Sequence, residues 1–144
     1  MASKEVNYKN HTFKLSYEMV NPAQEEVLLI LHGWGSNKEI MKQAFGTTLQ
    51  EYKHIYLDMP GFGKSTNEMI LTTEDYGHIV QLFLDAMGVH VKIAMGHSFG
   101  GKVATLLETP CLVLLSSAGV VTVKPWSIRV KIATFKLLKP LGMK

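Results

Sequence analysis

Four short apolar runs constrain this chain most. They are Val27-Leu28-Leu29-Ile30-Leu31, Ile55-Tyr56-Leu57, Val91-Lys92-Ile93-Ala94-Met95 and Cys111-Leu112-Val113-Leu114-Leu115. Apart from Lys92 they show little alternation of apolar and polar residues, so each reads as a strand covered on both faces, the condition met inside a parallel sheet. Each run ends in small or polar residues: His32-Gly33-Trp34-Gly35, Asp58-Met59-Pro60-Gly61-Phe62-Gly63, Gly96-His97-Ser98 and Ser116-Ser117-Ala118-Gly119. Ligands of open α/β sheets bind beyond the carboxyl ends of the strands, where these residues fall.

Helical periodicity fills the gaps between the runs. Ile40, Met41, Ala44, Phe45 and Leu49 mark one segment. Thr73–Met87 is a second, with Thr72 or Thr73 as cap, acidic Glu74 and Asp75 in its first turn, and Gly88 as stop. A third runs from Phe99 to Leu107. Val6–Val20 reads as a hairpin turning at Lys9-Asn10. The alternation predicts an α/β fold with a mostly parallel sheet and helices on both faces.

Composition closes off other classes. The chain has 144 residues, 47% apolar and 19% charged, which a disordered chain does not combine. One cysteine, Cys111, makes neither an intrachain disulfide nor a cysteine zinc site. It reads as a core thiol. A net charge of +3 does not argue for nucleic acid. No apolar run reaches the ~18 residues of a membrane span. With no apolar stretch at its N-terminus either, the chain is expected to be cytoplasmic. His11, His54, His78 and His90 show no metal-ligand spacing and read as surface residues, and no metal or organic cofactor is implied.

The chemistry is carried by Gly96-His97-Ser98-Phe99-Gly100, a G-x-S-x-G pattern between an apolar strand and a helix. In that context it is a nucleophile elbow: the serine sits on a tight turn that bulky neighbours would obstruct, beside the free N–H groups of a helix start. His97 adjoins the serine and is read as packing, not as its base. Gly96 to Lys102 also fits G-x-x-x-x-G-K, but Val103 stands where a phosphate-binding loop needs Ser or Thr.

Together, His32-Gly33-Trp34-Gly35, Asp58-Met59-Pro60-Gly61-Phe62-Gly63-Lys64-Ser65 and Gly96-His97-Ser98-Phe99-Gly100-Gly101 resemble the α/β-hydrolase superfamily over about residues 24–119. They look like the front part of a cap-bearing serine esterase or carbon–carbon-bond hydrolase. The resemblance implies that Ser98 is the nucleophile and that the backbone N–H groups of Trp34 and Phe99 form the oxyanion hole, with Gly35 the near alternative to Trp34. It makes His32 a residue that orders its loop, and 58–61 a structural loop. A small-molecule substrate follows, with a membrane as a minor alternative for the basic tail.

The pattern does not close within the chain. In the superfamily an acid and then a histidine follow the serine. After Ser98 there is no His and no Asp, and the sole acid is Glu108. On a continuous helix Glu108 would lie roughly 15 Å from the serine. Losing the base of a serine enzyme costs about a million-fold in turnover. The chain is therefore expected to be inactive alone, and to be the front part of a larger hydrolase: residues 1–123 core, residues 124–144 the start of a helical cap. A binding module without catalysis and one half of a split hydrolase are the alternatives. A complementing C-terminal half, or self-association through the edge at 111–116, is the expected partner.

Overall fold

The computed structural model describes residues 1–119; the segment read as the start of a cap, 124–144, lies outside the described residues. Six strands and three helices follow one another as β1 (Ala2–Tyr8), β2 (His11–Val20), β3 (Val27–Leu31), α1 (Lys38–Phe45), β4 (Lys53–Leu57), α2 (Thr73–Met87), β5 (Val91–His97), α3 (Phe99–Ala104) and β6 (Cys111–Leu115). They form one sheet in the order β1-β2-β4-β3-β5-β6.

The hairpin turns where the sequence places it. Lys9 and Asn10 both adopt positive φ, 47° and 63°, as a two-residue turn between twisted strands requires. β2 then pairs antiparallel with β4, while β4, β3, β5 and β6 run parallel. All five residues of β3, at the middle of the sheet, are buried. Leu28 and Ile30 pack with Met41 of α1 on one face. Leu29 and Leu31 pack with Ile79, Val80 and Phe83 of α2 and Val103 of α3 on the other. Helices thus cover both faces, and each large side chain buried this way contributes roughly 2 kcal/mol.

The helices end for local reasons. Thr72 caps α2: its hydroxyl accepts the Asp75 N–H, and Asp75 Oδ2 accepts the Thr72 N–H at 2.8 Å. Gly88 stops it in the left-handed conformation, φ 66°. Asn37 caps α1, its side chain accepting the Ile40 N–H at 3.2 Å.

Several sequence expectations change. The first helix ends at Phe45, Leu49 lies beyond it, and Ile40 is 55% exposed; the inward face is made by Lys38 and Met41. The third helix is shorter than expected, Phe99–Ala104, and turns follow it to Leu107. Cys111 is exposed on β6, the outermost strand among the described residues, so it is not a core thiol. His54 is fully buried, its ring held between the Tyr56 hydroxyl (2.8 Å) and the Leu49 carbonyl (2.9 Å). The same burial pushes the Tyr56 phenol up to about 12.

Candidate active site

Three loops meet at the carboxyl ends of the parallel strands: 32–36 after β3, 58–65 after β4, and the turn at Ser98 between β5 and α3. Ser98 adopts φ 50°, ψ −114°, a backbone state that costs a non-glycine residue energy and that surrounding structure must enforce. Four hydrogen bonds do so. The Ser98 N–H donates to the Leu115 carbonyl at 3.0 Å, and its own carbonyl accepts from Gly101, Lys102 and Ala118 at 3.1, 3.3 and 3.0 Å. The glycines supply the clearance. A Cβ on Gly96 would run into the backbone of Gly100, and one on Gly100 into the carbonyls of Leu31 and His32. Gly101 stands equally close to the Ser117 side chain. The serine hydroxyl has no hydrogen-bond partner among the described residues, and the residue is half-buried.

The loop after β3 closes against this turn. A Cβ on Gly33 would lie 3.0 Å from His97 Nδ1 and 3.5 Å from Ser98 Cβ, so the absence of a side chain lets the loop approach the serine. Gly33 to Ser36 form a tight turn, with the Ser36 N–H donating to the Gly33 carbonyl at 3.2 Å and Gly35 in the left-handed region, φ 70°. Trp34 occupies the first central position. Neither its N–H nor that of Phe99 has an acceptor among the described residues. The exposed Trp34 ring stands edge-on to Phe62 and Phe99, with centroids 4.9 and 5.2 Å away, and Tyr76 packs edge-on to Phe99 at 5.1 Å. These contacts fix the conformation of the loop around its backbone.

His32 is fully buried and stitches two loops together. The Met59 N–H donates to its Nε2 at 3.0 Å, so the ring proton sits on Nδ1 and is donated to the Gly33 carbonyl at 2.7 Å. Burial pushes its pKa below the ordinary histidine value, against smaller opposing contributions from that carbonyl and from Asp58. Both nitrogens are engaged, so His32 is unavailable for proton transfer. His97 is exposed, and no histidine ring bonds the Ser98 hydroxyl among the described residues. Glu108 is remote: its N–H meets the Gln81 side chain of α2 at 3.4 Å.

The sequence profile of the alpha/beta hydrolase fold matches residues 26–107, more than half of the chain. The chain belongs to the α/β-hydrolase family. It is 32% identical over 96 residues to the pimeloyl-[acyl-carrier protein] methyl ester esterase of Sodalis glossinidius, across 67% of this chain and 35% of that protein. Against the enzyme of the same name from Shewanella woodyi it is 35% identical over 91 residues, 63% of this chain and 32% of that one. A solved structure of a thermophilic esterase from Thermogutta terrifontis superposes with a TM-score of 0.74 at 18% identity, over 96% of this chain and 53% of that one, a likeness of fold. The chain therefore spans about a third of the Sodalis and Shewanella proteins and about half of that structure.

Within this α/β hydrolase, a feature that sequence reading passed over sits under the site. Lys38 and Asp58 are both fully buried, with Nζ 2.7 Å from Oδ2. Asp58 also accepts the backbone N–H groups of Lys38 (2.7 Å, Oδ1) and Lys64 (3.0 Å, Oδ2). Burial works against the Lys38 charge, but the hydrogen bonds from its ammonium to Asp58 and Glu39 outweigh it and hold the pKa above the ordinary lysine value. The Ser65 hydroxyl donates to the Asp58 carbonyl at 2.6 Å. The loop carrying Phe62 is thus anchored at Asp58 and Ser65. The signal available in sequence was Asp58 directly after an apolar strand, but its partner lies twenty positions away, at the start of α1.

Proposed function

We propose that Ser98 is the nucleophile of an ester-hydrolysing site, with the N–H groups of Trp34 and Phe99 receiving the carbonyl oxygen. The observation that carries this reading is Ser98 held at φ 50° with its hydroxyl free, beside two backbone N–H groups without acceptors among the described residues. Ser98 Oγ adds to the ester carbonyl carbon, and the two N–H groups hold the oxygen that takes up negative charge. Collapse of that intermediate expels the alcohol and leaves an acyl-serine, which water then hydrolyses. One such donor is worth about 3 kcal/mol of the barrier. Esterase relatives support an ester over a carbon–carbon bond as the substrate.

The serine needs a base to take its proton, and none of the described histidines is placed to do so. Residues 99–144 contain neither His nor Asp. The proposed mechanism therefore needs a base and an orienting acid that the described residues do not bring to Ser98. On a purified 144-residue chain, p-nitrophenyl butyrate is expected to turn over no faster than with Ser98→Ala. Steady hydrolysis abolished by Ser98→Ala would place a working base within the chain.

A further inference from the structure

A cavity of about 260 Å³ lies between the β1–β2 hairpin and the loop after β4, lined by residues 1–3 and by Lys14, Ser16 and Lys64. We propose that it is an anion site that takes a phosphate group.

The strand register builds it. Ser3 pairs with Ser16 and Glu5 with Lys14, which places these side chains on one face of the hairpin; Val6, Phe13 and Leu15 point the other way, into the core. Ser16 is 3% exposed, and its Oγ is the one buried side-chain polar atom without a hydrogen-bond partner among the described residues. Its backbone cannot turn to rescue it. The Ser16 N–H donates to Ser65 Oγ at 2.9 Å, and its carbonyl accepts the Asp58 N–H at 2.9 Å. A buried hydroxyl left unpaired is costly, and such atoms in native folds usually mark a water, an ion or a ligand.

The charge around it has the sign an anion needs. Lys14 and Lys64 both line the cavity, and neither has a carboxylate partner among the described residues, a condition they share with Lys4, Lys53 and Lys102 elsewhere on the surface. Two ammonium groups and a hydroxyl approaching from a strand and a loop suit a tetrahedral anion with several acceptor oxygens. Glu5, across the hairpin from Lys14, opposes it. The cavity is distinct from Ser98: β4 and β3 intervene between β2 and β5, a separation of about 14 Å at the usual strand spacing.

The test is a titration of the ¹⁵N-labelled chain with inorganic phosphate, methyl phosphate and acetate at fixed ionic strength, following backbone amide shifts. Saturable shifts centred on Lys14, Ser16 and Lys64 are expected. Their apparent affinity should fall at least about tenfold in Lys14→Gln/Lys64→Gln and about fivefold in Ser16→Ala. It should rise in Glu5→Gln and stay unchanged in Lys92→Gln. Tighter binding of methyl phosphate than of inorganic phosphate assigns the site to a phosphate ester, and the reverse order to the free ion. Non-saturating shifts, shifts that survive the double lysine variant, or equal binding of acetate would overturn the proposal. Amide dispersion in each variant's own spectrum reports that it is folded, and none of these readouts depends on Ser98.

Discussion

Nζ of Lys38 lies 2.7 Å from Oδ2 of Asp58, and neither side chain reaches solvent. The pair joins the first turn of α1 to the loop after β4, and two backbone N–H groups complete the shell of the carboxylate. Removing one partner of such a pair strands the other charge in the interior. Lys38→Met is expected to cost about 3–5 kcal/mol in urea unfolding. Lys38→Met/Asp58→Asn should recover part of that loss, since a neutral amide leaves no buried charge and its oxygen still accepts a backbone N–H. A single variant as stable as the parent would show that the carboxylate is not held by this lysine.

Gly100 offers a sharper test of the elbow. Its missing Cβ is the space into which the carbonyls of Leu31 and His32 project, and backbone cannot step aside as a side chain does. Gly100→Ala is expected to destabilise by about 3 kcal/mol or more, read as a fall in the denaturation midpoint. Gly35→Ala meets no neighbour within 4 Å and should lose only what the left-handed φ of 70° costs, about 1 kcal/mol. Equal losses in the two variants would contradict the packing described for the turn.

His32 gives stability a pH dependence of known sign. Its folded pKa is depressed by burial below the ordinary value of 6.5. As pH falls through 6.5 the unfolded chain takes up a proton that the folded chain does not, because protonated Nε2 could not accept the Met59 N–H. Stability from this group is complete above pH 6.5 and declines as pH drops below it, by at most about 1.4 kcal/mol per pH unit for one proton. Urea unfolding between pH 7.5 and 5.5 should show a slope that shrinks in His32→Gln. An unchanged slope in that variant would assign the effect to other groups.

The sequence was informative where a residue's role follows from its neighbours in the chain. The run 27–31 without polar interruption is a fully buried strand, Lys9-Asn10 is a hairpin turn, and the glycines around Ser98 mark a crowded strand-to-helix junction. The alpha/beta hydrolase fold follows from those features and from the family match. Reading failed where the deciding partner is distant. Nothing in the chain around Lys38 points to Asp58, twenty positions away, and His54 looks like a surface histidine until the Leu49 carbonyl and Tyr56 enclose it. Ile40 reads as core by periodicity, yet an eight-residue helix turns it outward once Lys38 and Met41 face the sheet. The unpaired hydroxyl of Ser16 carries no sequence signature, since serines alternate with many residues on a hairpin face.

The most direct measurement is fluorophosphonate labelling in a lysate of the source cells, followed by tryptic mapping of the peptide spanning residues 93–102. The expected result is an adduct on Ser98, with reactivity lost in Ser98→Ala. An unmodified peptide 93–102, in a lysate where other serine hydrolases are labelled, would contradict the assignment of Ser98 as nucleophile and leave a site that binds without cleaving.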